Sequence, residues 1–201
     1  MILEKNKLFH IYNQGNNREK IFYDERNYDY FLFKLKRYVH PYADILAWCL
    51  MPNHFHLMVY VRETEIYILN DEISKKQKIR SLNESIGILL RTYTRAINKQ
   101  ENRTGSLFTQ NTKAKVVTDW RSNMNYGEIC FNYIHKNPLS SNLVKSLENW
   151  PYSSYYEYTG KIANPICNVD LGKNLFYIRW TKYIENIKSE KIEKEALKLI
   201  F

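Results

Sequence analysis

Residues 43–61 read ADILAWCLMPNHFHLMVYV, and this stretch decides the fold. Ala43 to Leu50 is apolar and suited to a β-strand. Pro52 cannot donate a hydrogen bond to a sheet ladder, so a turn is expected at Met51-Pro52-Asn53. His54 to Val61 is then the returning strand, and the whole stretch predicts an antiparallel β-hairpin.

The returning strand divides its side chains between an apolar face and a face with two imidazoles. Successive side chains of a strand point to opposite faces. The apolar set takes the core side: Phe55, Leu57, Val59 and Val61. His54 and His56 therefore share the opposite side, with Cα atoms roughly 6.5 Å apart. Two imidazoles at this spacing can bind one metal ion and leave open positions for a third ligand, water and substrate, although a lone His-x-His pair is more often a surface pair.

Further strands and helices are predicted on both sides of the hairpin. Leu8–Asn13 is a strand that ends at the turn signals Gln14-Gly15-Asn16-Asn17. Apolar residues at helical spacing predict helices over 24–39 and 82–100. Another strand is expected over 113–118.

The remaining intervals are less regular. Residues 63–81 are polar and charged, with Lys75, Lys76, Lys78 and Arg80 close together, which predicts a solvated loop or a short helical excursion. The stretch 138–160 contains a compact aromatic packing segment, Trp150 to Tyr156, and helical spacing returns over 175–187 and 192–200. The order of elements indicates an α+β fold, an antiparallel sheet with helices on one face in the ferredoxin-like or RRM-like arrangement, whose other face is open to a ligand.

A second informative pair lies on a helix predicted over 122–137, which is expected to end before Pro138. Tyr133 and Asn137 are four residues apart and are neighbours on one helix face. A carboxamide oxygen is a hard ligand suited to Mg²⁺ or Mn²⁺, and the phenol beside it could attack an electrophile that the metal polarises. The alternative, which spacing alone favours, is that Tyr133 is a core residue and Asn137 caps the helix.

The charge of the chain indicates a polyanionic partner. A net charge of +9 and a pI near 9.3 favour nucleic acid over a membrane surface, with a merely basic soluble protein as the alternative. Between residues 91 and 115 the sequence contains six cationic side chains and one carboxylate. The resulting net charge of +5 suits a phosphate-binding face. The candidate DNA-contact residues are Arg18, Arg91, Arg95, Lys113 and Lys115.

The three cysteines, Cys49, Cys130 and Cys167, form no CxxC pair, so neither a disulfide framework nor a cysteine-based zinc site is indicated. The N-terminal residues lack the apolar run of a signal peptide, and no apolar stretch approaches the length of a membrane span. These features predict a cytoplasmic protein.

Six motifs, in this order along the chain, resemble those of IS200-like single-tyrosine HUH transposases, and most nearly the REP-associated tyrosine transposase branch. They are FHIYNQGNNR (residues 9–18), ILAWCLMPNHFHL (45–57), YTRAIN (93–98), GSLF (105–108) with Lys113-Ala114, YIHKNP (133–138) and WPYSSY (150–155). The resemblance spans about residues 8–158.

This resemblance implies a Y1 HUH endonuclease fold and a DNA transposase that nicks and rejoins single-stranded DNA, often beside a hairpin. By the same resemblance, His54 and His56 are metal ligands, Asn137 takes the third ligand position and Tyr133 is the nucleophile. A divalent metal, Mg²⁺ or Mn²⁺, would polarise the scissile phosphate while Tyr133 attacks, which gives a 5′-phosphotyrosine and a free 3′-hydroxyl. Proteins of this kind work as monomers or homodimers.

The resemblance also divides the chain into a Y1 HUH transposase domain at 1–158 and a C-terminal helical extension at 159–201, a DNA-contact or packing arm. Two departures could alter DNA contacts without touching the proposed chemistry. Ser140-Ser141-Asn142 replaces a basic residue and Ala-Gly that are common in the branch, and the basic-aromatic pattern is diluted around Gln110-Asn111-Thr112.

Two alternatives use the same fold without catalysis. One is a catalytically inactive, domesticated protein that binds hairpin single-stranded DNA or RNA, against which the joint presence of all four site residues argues. The other is an RNA-binding ferredoxin-like domain that uses a tyrosine-rich sheet.

Overall fold

An antiparallel four-stranded sheet organises the computed structural model, which describes residues 1–69, 77–117 and 126–176. The strands are β1 (Leu8–Gln14), β2 (Ala43–Met51), β3 (His54–Val61), β4 (Glu65–Leu69), β5 (Gln77–Ser81) and β6 (Lys113–Val116). The α-helices of the described residues are α1 (Glu25–Tyr38), α2 (Leu82–Gln100), α3 (Tyr126–Ser140), α4 (Tyr155–Tyr158) and α5 (Val169–Leu175).

The topology of the sheet is that of a split βαβ fold. The spatial order is β2-β3-β1-β6, and every neighbouring pair is antiparallel. β3 therefore lies between β1 and β2, which α1 connects. The predicted α+β class with an antiparallel, ferredoxin-like sheet is confirmed.

Both helices of this unit begin at a side-chain cap that the sequence supplies. Asp24 accepts a hydrogen bond from the backbone N–H of Asn27, and the Asn27 side chain accepts one from the backbone N–H of Asp24. Ser81 and Glu84 form the same reciprocal box at the start of α2. Each box satisfies N–H groups that the first helical turn leaves without an intrahelical acceptor.

One face of the sheet packs against α1 and α2 through aromatic rings. The Phe31 ring of α1 lies 5.1 Å from the Phe55 ring of β3 and 5.0 Å from the Tyr93 ring of α2, measured between centroids. Phe31 and Tyr93 are fully buried. This face, called the aromatic face below, is a dry core whose burial drives folding.

The opposite face carries the histidines and is covered in part by α3. The Tyr133 ring of α3 lies 5.3 Å from the His56 ring, so this helix crosses the side of the sheet that faces away from α1 and α2. The arrangement differs from the expectation that the helices lie on one face and leave the other open. Phe131 and Ile134 of α3 are fully buried, as is Met58 on this side of β3, and this apolar surface explains why α3 packs here.

Helix α3 continues through Pro138 to Ser140, so the prediction that it ends before the proline is wrong. A proline in the last turn removes only its own N–H, and the backbone beyond it is held by hydrogen bonds from Ser141 N to the Asn137 carbonyl at 3.0 Å and from Leu143 N to the Pro138 carbonyl at 3.0 Å. Asn137 consequently lies inside the helix and is not its C-cap.

Residues 63–81 also differ from their prediction as a loop or helical excursion. β4 and β5 form an antiparallel two-stranded sheet of their own, in the register Glu65 to Ser81. Its Tyr67–Ile79 pair is exposed, at 70% and 48% of the side-chain surface. The many charged and polar residues of 63–81 are the reason that the sequence favoured a loop.

The aromatic segment after α3 covers the outer edge of β2. Leu50 N donates to the Tyr152 carbonyl at 2.9 Å, and Ser154 N donates to the Trp48 carbonyl at 2.9 Å. Strand edges expose unpaired backbone groups, so this pairing protects the sheet from edge-to-edge association.

The described part of the predicted extension continues along the same strand. Asn168 N donates to the Ile45 carbonyl at 2.8 Å, and the Cys167 N–H donates to the buried carboxylate of Glu157 at 2.7 Å. Helices are also predicted over 175–187 and 192–200, but the residues beyond 176 lie outside the described part of the chain. Within the described ranges, no helix is long and apolar enough to cross a membrane.

Candidate metal and nucleophile site

The two histidines of β3 lie side by side in the middle of the sheet. Their ring centroids are 5.0 Å apart. His56 is 3% exposed, whereas His54 is half-buried at the mouth of a cavity of about 340 Å³. The site is therefore walled by the sheet on one side and reachable from the other.

The ring of His54 lies between two amide oxygens. Its Nδ1 is 2.7 Å from Oδ1 of Asn53, and its Nε2 is 3.3 Å from Oδ1 of Asn137. Asn53 is fixed in this orientation because its Nδ2 donates to the Arg18 carbonyl at 3.3 Å. Burial lowers the pKa of His54 below its usual value, and the nearby Asn137 oxygen, which favours the protonated ring, acts in the opposite direction, so the ring is neutral at pH 7.

A neutral imidazole has one N–H, and the shorter contact assigns that proton to Nδ1 of His54. Its Nε2 then presents a lone pair toward Oδ1 of Asn137, which is also an acceptor. Two acceptors facing each other repel, and a cation bound to both relieves that repulsion.

Asn137 also contacts the phenol of Tyr133, one turn earlier on α3. Burial raises the pKa of Tyr133 above its usual value, and a side-chain hydrogen bond with Asn137 acts in the opposite direction. The Asn137 side chain therefore contacts both the His54 ring, through Oδ1, and the Tyr133 side chain. One carboxamide thus joins the histidine pair to the tyrosine.

The donor set fits a divalent cation. Two ligands bound about 2.1 Å from one ion at right angles are about 3 Å apart, close to the observed distance between His54 Nε2 and Asn137 Oδ1 of 3.3 Å. Among the described residues, no cluster of three His, Cys, Asp or Glu side chains is arranged to hold a metal ion. The third protein ligand would therefore be the amide oxygen of Asn137, a suitable donor for Mg²⁺ or Mn²⁺.

His10 of β1 is a further histidine at the site. Its Nε2 lies 2.9 Å from Nδ1 of His56, its ring stacks on Tyr12 at 4.7 Å, and its side chain is fully buried. Burial, followed by the neighbouring His10 and His54 rings, lowers the pKa of His56 well below its usual value. The His56 ring is therefore neutral, as metal ligation requires.

The cavity beside these groups is lined by polar and basic residues of β1, of β6 and of the loop before β6. Besides the site residues, its walls are formed by Tyr12, Asn13, Gln14, Thr109 and Lys113. The register places Lys113 opposite Tyr12 and Lys115 opposite His10, so both lysines lie on the histidine face. Asn13 is buried and holds the wall through Thr109 and Thr112, the latter at 2.9 Å.

A second cleft, of about 550 Å³, lies on the other side of His54 and Gln14. The cationic side chains on its wall are Arg18 and Lys20, both exposed, and Ser141 lies opposite them. The departure from the branch pattern at 140–142 therefore borders this cleft. The two clefts meet at Gln14 and His54, which line both of them.

The predicted site residues thus divide into two groups. His54, His56 and Tyr133 line one pocket, and the buried Asn137 contacts His54 and Tyr133. Lys113 is on the wall of this pocket and Arg18 lines the adjoining cleft. Arg91 and Arg95 are exposed on α2, which packs on the aromatic face, so the sheet separates them from the site.

Two residues of the site were not predicted from the sequence. The sequence assigns no role at the site to His10, because its contact with His56 depends on the pairing of β1 with β3. Asn53 was interpreted only as part of a turn, although its position next to His54 is a signal that a sequence could give. His135, by contrast, adjoins Tyr133 in sequence but hydrogen-bonds Ser154 at 2.7 Å, away from the pocket.

A split βαβ sheet with a His-x-His pair on its central strand, faced by a tyrosine and an amide on a crossing helix, is the arrangement expected of a single-tyrosine HUH protein. Comparison with known proteins agrees with this class. A curated protein of Haemophilus influenzae, named as a REP-associated tyrosine transposase, is 25% identical over 114 residues, which is 56% of this chain and 59% of the relative. The chain thus spans about three fifths of the length of that curated relative.

A solved structure described as a REP-associated tyrosine transposase bound to a REP hairpin shares the fold. It matches with a TM-score of 0.55 at 18% identity, over 83% of this chain and 87% of that one. No family model matches the chain. The resemblance to IS200-like, REP-associated tyrosine transposases that the sequence motifs predict is confirmed.

Proposed function

We propose that this protein is a metal-dependent DNA transposase that cleaves and rejoins single-stranded DNA at hairpin sequences through a covalent bond to Tyr133. The observation that carries the proposal is the position of Asn137, whose side chain contacts Tyr133 and lies 3.3 Å from Nε2 of His54. Asn137 would thereby hold the nucleophile beside the metal ligands. Hairpin DNA is bound by the solved structure that shares this fold, which supports the choice of substrate.

The residues of the site would supply positioning and a nucleophile. His54, His56 and Asn137 would hold a divalent cation, which when bound supplies Lewis-acid polarisation of the scissile phosphate. Tyr133 Oη bonds to phosphorus as the bond from phosphorus to the 3′ oxygen breaks. The phenol loses its proton and the departing 3′ oxygen gains one, so the products are a 5′-phosphotyrosine and a 3′-hydroxyl. Since the phosphotyrosine conserves the phosphodiester bond, a second 3′-hydroxyl can reverse the step without ATP.

Burial of Tyr133 has a direct consequence for this chemistry. Because burial raises the pKa of the phenol, the nucleophile is protonated at neutral pH and is weak by itself. A hydrogen bond donated by Nδ2 of Asn137, which contacts Tyr133, would stabilise the developing phenolate. Asn137 would thus act on both partners, the phenol through its nitrogen and the cation through its oxygen.

The substrate path would follow the two clefts. An unpaired strand that crosses His54 would pass Lys113 on one side and Arg18 and Lys20 on the other. A displaced phosphodiester requires the nucleophile and the leaving oxygen in line, on opposite sides of phosphorus. Because Tyr133 lines only the first cleft, the strand that departs with the 3′-hydroxyl would occupy the second.

The test is formation of a covalent adduct between the purified protein and a 5′- or 3′-labelled hairpin-bearing single-stranded oligonucleotide in the presence of Mn²⁺. Wild-type protein is expected to give a denaturant-resistant adduct that retains the 3′ label. Tyr133→Phe should reduce adduct formation by at least about 10³-fold. Tyr67→Phe, which removes an exposed hydroxyl from β4, is the matched control and should react like wild type.

The outcomes separate the alternatives. Adduct formation by Tyr133→Phe at the wild-type rate would refute the nucleophile assignment. A non-catalytic binding protein would instead bind the hairpin tightly but form no adduct. It would also bind no Mn²⁺ at the histidines, so His54→Ala/His56→Ala would leave its Mn²⁺ binding unchanged. A preference for RNA over single-stranded DNA in competition would favour the RNA-binding alternative.

A further inference from the structure

The two histidines of the site are held by different partners. His54 contacts Asn53, whose amide is fixed by the backbone of the turn that follows β1. His56 contacts a second histidine, His10, inside the sheet. Metal-ligating histidines depend on such outer contacts, because the group bound to one ring nitrogen decides which nitrogen is left for the metal.

The contact of His54 with Asn53 favours one tautomer. Amide oxygens only accept, and Oδ1 of Asn53 lies 2.7 Å from Nδ1 of His54 whereas Oδ1 of Asn137 lies 3.3 Å from Nε2, so the shorter contact favours a proton on Nδ1. Nδ2 of Asn53 donates to the Arg18 carbonyl, which prevents the amide from turning its donor toward His54.

The Arg18 carbonyl is itself placed by an unusual turn. Asn17 and Arg18 both have positive φ, at 53° and 60°, the left-handed region that non-glycine residues seldom adopt. A Cβ at Gly15 would lie 2.1 Å from the Glu19 carbonyl oxygen, so the turn closes more tightly than other residues allow. Gly15 N donates to the Asn53 carbonyl at 2.7 Å, and Ile21 N donates to the Pro52 carbonyl at 2.8 Å. This turn and the hairpin turn before His54 are therefore tied together.

The contact of His56 with His10 permits two arrangements. Either ring can donate across the 2.9 Å between His56 Nδ1 and His10 Nε2. Only when His56 donates does its Nε2 have a lone pair for a cation. A cation at Nε2 selects that arrangement, in which His10 accepts at Nε2.

We propose that Asn53 and His10 are positioning residues that set the tautomers of His54 and His56, so that both rings present Nε2 to a divalent cation. The proposal rests on the metal site of the proposed function and adds the residues that orient its ligands. Asn53 sets the tautomer of His54 in the metal-free protein. The proton shared by His10 and His56 takes its required position only when a cation binds. The site is therefore half preorganised.

The first half is tested on the metal-free wild-type protein, without DNA. Long-range ¹H–¹⁵N correlation spectra of ¹⁵N-histidine protein at pH 7.5 report which ring nitrogen of each histidine carries the proton. His54 is expected as the Nδ1–H tautomer. A His54 ring protonated at Nε2 would overturn the role of Asn53 without bearing on whether Tyr133 cleaves DNA.

The second half is tested by Mn²⁺ affinity, measured by titration with electron paramagnetic resonance. Asn53→Ala removes the acceptor and is expected to weaken Mn²⁺ binding about 10–100-fold, the usual effect of losing an outer contact of a ligand. Asn53→Asp keeps an acceptor at His54 Nδ1 and should retain the Nδ1–H tautomer and most of the affinity. His10→Leu should weaken binding to a similar degree, and His10→Gln, whose Oε1 can accept from His56, should restore part of it.

Asn27→Ala is the control for a general loss of stability. Asn27 is a buried asparagine that completes the cap of α1 on the other side of the sheet, and its loss should leave Mn²⁺ affinity unchanged. Unaltered affinity in both Asn53→Ala and His10→Leu would overturn the proposal while leaving the proposed function intact. Failure of the wild-type protein to bind Mn²⁺ would overturn both.

Discussion

The two faces of the central sheet are built from the same strands but by different chemistry. On the aromatic face, Phe31, Phe55 and Tyr93 pack ring against ring and exclude water. On the histidine face, the buried groups include His10, His56 and Asn137, which desolvation penalises unless each finds a polar partner.

This difference indicates that one face of the sheet stabilises the fold and that the other contributes little to its stability. Apolar burial stabilises at roughly 25 cal/mol per Å², so the aromatic face favours folding. A buried polar network contributes little net stability and can cost some, yet it fixes side chains in one geometry. Substitutions on the first face should therefore affect stability alone, and conservative substitutions on the second should affect binding and chemistry alone.

The largest effect on stability is expected for Phe31→Ala. Removing a fully buried ring that contacts Phe55 and Tyr93 should cost about 3–5 kcal/mol of unfolding free energy, as cavity-forming substitutions of this size do. Urea denaturation of the metal-free protein measures the loss. Phe31→Leu, with a smaller cavity, should lose less and should keep wild-type Mn²⁺ affinity. The comparison fails if Tyr133→Phe, on the histidine face, lowers the unfolding free energy as much as Phe31→Ala.

A second prediction concerns His135, a histidine of α3 that faces away from the metal site. Its ring is fully buried and contacts Ser154, and burial lowers its pKa to about 3. An unfolded histidine titrates near pH 6.5, so between about pH 6.5 and 3 the unfolded chain binds a proton that the folded protein does not. The stability from keeping His135 neutral is complete above pH 6.5 and declines by about 1.4 kcal/mol per pH unit as the pH falls.

His135→Gln keeps a polar partner for Ser154 but does not titrate, so its unfolding free energy should fall less steeply than that of wild type from pH 6.5 to 4. The remaining slope would come from other groups, among them His54 and His56, whose pKa values burial also lowers. Parallel curves for the two proteins would show that His135 is not a structural histidine.

The sequence predicted the parts of the fold that local pattern decides. The strand at 54–61 and the helix at 82–100 have the predicted bounds, because alternation, helical periodicity and capping residues lie within each segment. The β4–β5 hairpin was missed because the interval 63–81 contains many charged residues and because Tyr67 and Ile79, which pair across the hairpin, are exposed. Helix α3 passes Pro138 because packing on the sheet outweighs one lost N–H.

Only those parts of the site that are close together in the sequence could be predicted from it. His54 and His56 share a face by strand alternation, and Tyr133 and Asn137 share a face by helical spacing. That the two pairs meet follows from α3 crossing the histidine face, which the resemblance implied and no local pattern contains. The contact of His10 with His56 depends on the register that places Tyr12 opposite His56, and register between distant strands is a property of the whole sheet.

The smallest effect is expected when a single exposed arginine is replaced. This effect, on the salt dependence of DNA affinity, should differ between the two faces of the sheet. Arg18 lines the cleft beside His54, whereas Arg91 lies on α2 on the aromatic side. If Arg18 contacts one phosphate, Arg18→Gln should reduce the slope of log affinity against log salt by about 0.7 for single-stranded DNA, and Arg91→Gln should leave it unchanged. Fluorescence anisotropy with one hairpin oligonucleotide at several salt concentrations measures both slopes. Since either substitution removes one positive charge, the pair controls for net charge. Equal reductions would mean that DNA also follows the aromatic side of the protein, and that the division between a stabilising face and a binding face does not hold.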